Sequence, residues 1–146
     1  MDLSWQQIED LSKKLAAEIA ESGFRPDYLI GITVGGIIPL ALLAEELDIS
    51  NVITVSATSY EGKERGETKV TYLPEIDLRG KKALLIDEVA ETGETLKELS
   101  KILLDRYGLS ELKTVTVGIN RKKCKFLPDF YAIAADGWMV FPWEKE

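Results

Sequence analysis

Two segments of this 146-residue chain share one pattern, in which a short apolar run leads through a glycine-containing turn into a helical segment. The first apolar run is Asp27–Val34, and it precedes a predicted helix over 38–47. The second is Lys82–Asp87, and it precedes a predicted helix over Glu94–Tyr107. Short apolar strands that alternate with helices predict a mostly parallel, twisted sheet with helices on both faces. We therefore expect an α/β fold.

The remaining elements complete this pattern within one domain over residues 1–146. Strands are predicted over Asn51–Thr58, Lys113–Ile119 and Phe130–Ala135, and an amphipathic helix with a Ser4–Gln7 capping box over residues 4–22. The length suffices for one core and is too short for two ordinary domains. The charged segment Ser59–Leu73 contains two glycines and almost no apolar residues, so we expect a mobile loop there.

The composition excludes several classes of site. The chain has no histidine and a single cysteine, Cys124, which rules out an internal disulfide, zinc sites of the usual kind and a Ser-His-Asp triad. Any general base must therefore be a carboxylate, a lysine or a tyrosine.

Charge and hydropathy bear on whether the chain binds nucleic acid or a membrane. The net charge is −7, and an acidic balance disfavours nucleic acid as a partner because phosphate neutralisation supplies most of that affinity. The longest apolar stretch, 34–44, contains Pro39 and is too short to cross a bilayer. We expect a cytoplasmic protein with no membrane or nucleic-acid partner.

The most informative segment is Leu84–Leu96, in which a buried strand delivers two adjacent carboxylates, Asp87 and Glu88, to the edge of the sheet. Thr92 and Thr95 follow at the start of a helix, where free N–H groups and the helix dipole favour a phosphate. Carboxylates beside an anion site suggest a sugar phosphate and a metal ion, since the acids can accept from vicinal hydroxyls or hold water on Mg²⁺. The alternative is that Thr92 only caps the helix and that the acids form a solvated strand end.

This segment resembles the phosphoribosyl pyrophosphate (PRPP) binding motif of type I phosphoribosyltransferases: an apolar strand, two acids, two further residues, an acid, and then Thr-Gly-x-Thr. The similarity continues in order along nearly the whole chain. Ile30–Leu43 resembles the pyrophosphate loop and its helix, Ser59-Tyr60 opens the charged loop as in the 6-oxopurine members, and Pro128–Tyr131 and Trp138–Glu144 resemble the short bacterial and archaeal xanthine-guanine or hypoxanthine-type enzymes.

The resemblance implies a purine-salvage reaction in which a purine nitrogen displaces pyrophosphate at C1′ of PRPP, with Mg²⁺ as cofactor. Most of the catalysis in such a reaction is electrostatic and positional. It also implies a small C-terminal hood beside the sheet and a homodimer or homotetramer.

The resemblance also assigns roles to individual residues. Asp87 and Glu88 hold the ribose hydroxyls and contact Mg²⁺ through water, and Glu91 manages the proton on the purine N7. The 5′-phosphate is bound by Ala90, Thr92, Gly93, Glu94 and Thr95. Pyrophosphate is bound by Val34, Gly35 and Gly36. Ser59 and Tyr60 close over the site. The purine is bound by Trp138, Met139, Asn120 and Arg121.

Four positions depart from the family pattern. Val34 stands where a basic residue is common, the acid pair reads Asp-Glu, and Glu91 replaces an aspartate. Asn120 falls where a lysine normally reaches the purine O6, for which residues 121–123 offer substitute cations. Two alternatives follow: a catalytically weakened regulatory protein that binds PRPP or a nucleotide, and a phosphoribosyltransferase with another nitrogenous base as acceptor.

Overall fold

A computed structural model describes residues 1–59 and 68–144 of the chain. These residues form six strands and three helices, joined by turns and loops. In chain order they are α1 (Trp5–Ser22), β1 (Tyr28–Thr33), α2 (Ile37–Leu47), β2 (Val52–Ser59), β3 (Thr68–Tyr72), β4 (Lys82–Ala90), α3 (Glu94–Tyr107), β5 (Glu111–Asn120) and β6 (Phe130–Ala135). The strands form one sheet in the order β3-β2-β1-β4-β5-β6. All neighbours are parallel except β2 and β3, which confirms the predicted α/β fold.

Both faces of the sheet are covered by helices, as expected. Successive side chains of β4 point to opposite faces. Leu84 and Ile86 pack with α1 and α2, and Leu85 packs with Leu99 and Leu103 of α3. All five side chains are fully buried, so the middle of β4 has to be apolar at every position.

The helix ends follow from local chemistry. At the start of α1, the Ser4 hydroxyl accepts from the Gln7 amide and the Gln7 side chain accepts from the Ser4 amide, which confirms the capping box. Gly23 and Gly108, both in the left-handed conformation, end α1 and α3.

The largest differences between the structure and the sequence prediction are in two strands, β4 and β3; the bounds of β1, β2 and β5 differ by one or two residues. β4 continues to Ala90, three residues beyond the predicted end, because its pairing with β5 persists through Asp87 and Val89. Thr68–Tyr72 was expected within a mobile loop and is instead the antiparallel strand β3, in which Val70 pairs with β2 and packs against the core. Residues 60–67, including Tyr60, lie outside the described residues.

The segment after β6, predicted to form a hood, lies beside the first residues of the chain. The Leu3 amide donates to the Val140 carbonyl at 2.9 Å, and the Val140 amide donates to the Met1 carbonyl at 2.8 Å. Met139 and Phe141 are buried there in a third apolar cluster. Among the described helices, none combines the length and the apolar character that a bilayer span requires.

We expect truncation of Leu85 to show how far stability depends on the buried part of β4. Leu85→Ala removes a fully buried side chain and should lower the free energy of unfolding by about 2–5 kcal/mol. Leu127→Ala is the matched control, because Leu127 is 60% exposed and its truncation should change that value by less than about 0.5 kcal/mol. Urea unfolding measures both variants, and equal losses would contradict this assignment of the core.

Candidate active site

The carboxyl ends of β1, β2 and β4 border an open cleft of about 740 Å³. Its lining consists of the ends of these strands, the turns that follow β1 and β4, and the first turn of α3: Ile32, Thr33, Gly35, Ala57, Thr58, Asp87, Glu88, Val89, Ala90, Glu91, Thr92, Gly93, Thr95 and Leu96. Parallel sheets bind ligands at this edge. The segment Leu84–Leu96, in which the acid pair and the phosphate site were predicted, therefore supplies most of the cleft lining.

Asp87 and Glu88 form a half-buried acid pair in this cleft. Burial raises the pKa of Asp87 to about 7, and the neighbouring Glu88 charge adds to the shift. Burial also raises the pKa of Glu88 to about 7, with a further contribution from Glu144. Each carboxylate accepts one hydrogen bond that favours ionisation, Asp87 from the Glu88 amide at 2.8 Å and Glu88 from the Trp143 indole at 3.3 Å. Desolvation outweighs both bonds, so the ionised pair needs cations or hydroxyl donors from a ligand.

The donor set of this pair is one that Mg²⁺ uses. Magnesium is usually bound through one or two carboxylates, with water and substrate oxygens completing its octahedron. Within residues 1–59 and 68–144, no group of three or more acidic or cysteine side chains comes together as a metal site. Asp87 and Glu88 are two adjacent carboxylates in the cleft lining, and their chemistry fits this donor set.

The turn from β4 into α3 has the features of an anion site. Gly93 has a φ of 85° and precedes the first residue of α3, and the Thr92 hydroxyl accepts from the Glu94 amide at 3.2 Å. The helix dipole and the N–H groups of the first turn favour a phosphate at this end. Four of the five residues predicted to bind the 5′-phosphate line the cleft, and Glu94 is the one that does not.

A second segment packs against this turn. The Thr92 carbonyl accepts from the amides of Lys125 and Phe126, at 2.9 and 3.2 Å. A Cβ added to Gly93 would lie 2.1 Å from the Phe126 carbonyl oxygen. Glycine is thus required at position 93 both by its backbone conformation and by this close approach.

The turn between β1 and α2 contacts the acid pair directly. A Cβ at Gly35 would lie 2.5 Å from a carboxylate oxygen of Glu88, and one at Gly36 would lie 2.5 Å from the Ile86 carbonyl oxygen. The Thr33–Val34 peptide bond is cis. Of the three residues predicted to bind pyrophosphate, Gly35 lines the cleft, Gly36 packs beneath it, and Val34 is 78% exposed outside the lining.

Glu91 lines the cleft and is bonded to Asn120 at the end of β5. The Asn120 Nδ2 donates to Glu91 Oε1 at 3.1 Å, while Asn120 itself is buried and does not line the cleft. The Arg121 guanidinium donates to Asp136 at 3.0 Å and to the Ala134 carbonyl at 3.2 Å. The structure thus brings Asn120 to the site through Glu91 and turns Arg121 toward the end of β6.

The two aromatic and apolar residues predicted to bind the purine differ in exposure. Trp138 is 70% exposed, so its ring is available to a ligand and is not part of the core. The Met139 side chain is buried, and its sulfur would lie 2.6 Å from a Cβ at Gly118. Neither residue is among those that line the cleft in the described part of the chain. Ser59 is the last residue of β2, and its predicted partner Tyr60 lies outside the described residues.

Trp143 contacts the acid pair, although the sequence favoured only a structural role for it. Its indole donates to Glu88, and its ring stacks on Phe141 with a centroid distance of 4.9 Å. The two bonded residues are 55 positions apart, and no local pattern connects them. The stacked, hydrogen-bonded indole fixes the position of one member of the acid pair.

Comparison with known proteins gives a consistent result. The family model for the phosphoribosyl transferase domain matches residues 3–146. A xanthine-guanine phosphoribosyltransferase from Desulfotalea psychrophila is 33% identical over 147 residues, which cover 99% of this chain and 86% of the relative. One from Chromohalobacter salexigens is 33% identical over 144 residues, which cover 97% of this chain and 82% of the relative.

Solved structures agree with these sequence matches. The purine phosphoribosyltransferase from Pyrococcus horikoshii superposes with a TM-score of 0.86 at 28% identity, covering 100% of this chain and 95% of that one. A hypothetical protein from Neisseria gonorrhoeae with bound ppGpp gives a TM-score of 0.84 at 27% identity, covering 98% and 88%.

The raised pKa values of the acid pair predict a pH dependence of stability. Unfolding returns the two carboxyls to pKa values near 3.8 and 4.5, so between about pH 5 and 7 the folded state holds protons that the unfolded state has released. This contribution destabilises the fold as the pH rises. We expect Asp87→Asn/Glu88→Gln to lose less stability than the native chain between about pH 5 and 8, by about 1–5 kcal/mol in urea unfolding.

The exposed acids Glu45 and Glu46 on α2 provide the matched control for this pH series. Glu45→Gln/Glu46→Gln removes the same charge and should keep the slope of the native chain. Equal slopes for all three proteins would show that the pair in the cleft does not titrate abnormally.

Substitution of Gly93 should separate steric overlap from backbone strain. Gly23 has nearly the same φ, 84°, but no atom within 4 Å of an added Cβ, so Gly23→Ala carries only the left-handed strain of about 1–2 kcal/mol. Gly93→Ala adds the overlap with the Phe126 carbonyl and should cost about 1–3 kcal/mol more in urea unfolding. Similar losses for the two variants would contradict the close packing of residues 125–126 on this turn.

Proposed function

Because this chain belongs to the phosphoribosyltransferase family, we propose that it transfers the 5-phosphoribosyl group of PRPP to a 6-oxopurine base and releases pyrophosphate, in purine salvage. The observation that carries the proposal is the placement of an acid pair, Asp87 and Glu88, beside the glycine turn at the start of α3 in one cleft. A sugar with vicinal hydroxyls and a phosphate on its 5′ carbon matches these two features.

We propose the following orientation for PRPP in the cleft. The 5′-phosphate lies against the turn that contains Gly93, where N–H groups and the helix dipole stabilise negative charge. The ribose hydroxyls donate to Asp87 and Glu88, and the pyrophosphate extends toward Gly35, which lies against Glu88. C1′ is then positioned between the acid pair and the end of β5, where the base binds.

In the proposed reaction, a purine nitrogen forms a bond to C1′ as the bond from C1′ to the pyrophosphate oxygen breaks. Positive charge develops on the ribose, and the fixed carboxylates of Asp87 and Glu88 stabilise it. Glu91 lines the same cleft and accepts the proton that the purine N7 loses. The side chains bind, orient and accept a proton, and they form no covalent bond to the substrate.

We propose Mg²⁺ as the cofactor, held through water by Asp87 and Glu88. When bound, it neutralises negative charge on the pyrophosphate leaving group. Its positive charge also favours the ionised forms of two carboxyls whose pKa values burial raises to about 7.

One observation favours a 6-oxopurine as the acceptor, and a second favours a purine of any kind. The two curated relatives described above, each about one third identical to this chain, are xanthine-guanine phosphoribosyltransferases. The exposed Trp138 ring offers a face on which a purine can stack. As the family resemblance implies, we propose that the protein acts in the cytoplasm as a homodimer or homotetramer.

A second candidate is a regulatory protein that binds PRPP or a purine nucleotide and has lost catalysis. Val34 favours it, because an exposed apolar side chain occupies the place of a basic family residue. The similar Neisseria gonorrhoeae structure, solved with bound ppGpp, is consistent with nucleotide binding in a protein of this shape.

Turnover distinguishes these candidates. We expect pyrophosphate release from PRPP and Mg²⁺ with guanine, xanthine or hypoxanthine, slower release with adenine, and loss of activity when the metal is chelated. Asp87→Asn/Glu88→Gln should lower kcat/KM for PRPP by roughly 100-fold or more, because it removes the charges that stabilise the transition state. Glu45→Gln/Glu46→Gln, which lies outside the cleft lining, is the control and should retain activity.

Other outcomes have defined meanings. If none of the four bases is turned over but PRPP or GMP binds, the regulatory protein is supported, and Val34→Lys should then raise turnover. If neither turnover nor binding is observed, both candidates are rejected. Full activity in the Asp87→Asn/Glu88→Gln variant would remove the acid pair from the site.

A further inference from the structure

We propose that Asn120 is a positioning residue that holds the Glu91 carboxylate in place and ties it to the loop that follows β5. This inference rests on the proposed function, because it concerns the group that accepts the purine proton. The family resemblance places a direct base contact at position 120, and the geometry points to a different role.

The hydrogen bonds of Asn120 fix the orientation of its amide. Its Oδ1 accepts from the backbone amides of Lys122 and Lys123, both at 3.1 Å. Backbone amides can only donate, so this atom must be the oxygen, and the atom facing Glu91 must be the nitrogen. The Nδ2 therefore donates to Glu91 Oε1, at 3.1 Å.

Burial limits what else Asn120 can reach. The residue is only 4% exposed and does not line the cleft, whereas Glu91 does. Its Oδ1 is engaged by the loop, and its backbone carbonyl accepts from the Cys124 amide at 2.9 Å. Its effect on a ligand in the cleft is therefore transmitted through Glu91.

The other end of this loop is hydrogen-bonded to the turn that contains Thr92 and Gly93, which we call the phosphate turn. The Thr92 carbonyl accepts from the amides of Lys125 and Phe126, and the Lys97 ammonium lies 3.9 Å from the centre of the Phe126 ring. The loop of residues 121–126 is thus hydrogen-bonded to the Asn120 side chain at one end and to the Thr92 carbonyl at the other. Glu91, the phosphate turn and this loop form one hydrogen-bonded unit.

Asparagine suits this position chemically. A lysine could not accept from two backbone amides, and an aspartate would place a second carboxylate about 3 Å from Glu91, where like charges repel. One amide group provides both the acceptor for the loop and the donor for the carboxylate.

Asn120→Asp tests the bond to Glu91, because it keeps an oxygen acceptor for the loop, removes the N–H donor and places a like charge beside the Glu91 carboxylate. We expect kcat to fall roughly 10- to 100-fold through misplacement of Glu91, with KM for PRPP within about twofold of the native value. Asn51→Asp is the matched control with the same change of charge, since Asn51 is exposed at the opposite edge of the sheet and donates to the Asp27 carbonyl. Native kcat in Asn120→Asp would overturn the proposal and leave Asn120 as an anchor for the loop alone.

Glu91→Gln/Asn120→Asp rebuilds the bond with reversed polarity, since a glutamine donates to an aspartate. We expect this double variant and Glu91→Gln to have the same Tm and the same Kd for GMP, because both make the bond and both lack a carboxylate at position 91. A Kd difference of more than about fivefold would reveal a direct base contact at position 120 and would overturn the proposal.

The double variant also covers the case in which Asn120→Asp alone fails to fold. Its Tm should then recover to that of Glu91→Gln, and a double variant that melts with Asn120→Asp would reject the pairing. Failure of the proposed function is a separate result, an inactive native protein with all four bases. The GMP titration and the melting comparison test the pairing even then.

Discussion

The burial of β4 is the constraint on which the rest of the structure depends. This strand lies between β1 and β5 and is covered on both faces from Ala83 to Ile86, so four consecutive residues must be apolar. Asp87 and Glu88 are the first polar positions after that stretch, and they open onto the cleft. The buried apolar residues of β4 and the acid pair are consecutive in the chain. One short segment therefore supplies both the centre of the core and much of the cleft lining.

The same burial determines the electrostatics. The acid pair is covered enough that burial raises both pKa values to about 7, even though each carboxylate accepts a hydrogen bond that favours the charged form. The free protein therefore holds two groups whose ionisation a ligand can complete with cations or hydroxyl donors. Burial thus disfavours the ionised pair in the free protein, and in the proposed reaction a bound ligand offsets this cost while the carboxylates stabilise positive charge on the ribose with little rearrangement.

Local chemistry made much of this structure predictable from the sequence. The capping box of α1, the bounds of α3 and β6 and the apolar core of β4 depend on residues close together in the chain, and the structure has them as predicted. β3 was missed because its residues are mostly exposed and its stability comes from pairing with β2. The contact of Trp143 with Glu88 and that of Asn120 with Glu91 join residues 55 and 29 positions apart, so only the folded chain brings them together.

The departures from the family pattern acquire a physical interpretation from these long-range contacts. Val34 is exposed and lies outside the cleft lining, so a valine in place of a basic residue at this position is not required by the packing of the core. Asn120 is different, because its amide is engaged by the loop and by Glu91 inside the protein. Under the proposed function, a positioning role for Asn120 leaves recognition of the base to groups that remain accessible, such as the exposed Trp138 ring. In that proposal, base preference depends on stacking and on the shape of the loop after β5 more than on one charged side chain.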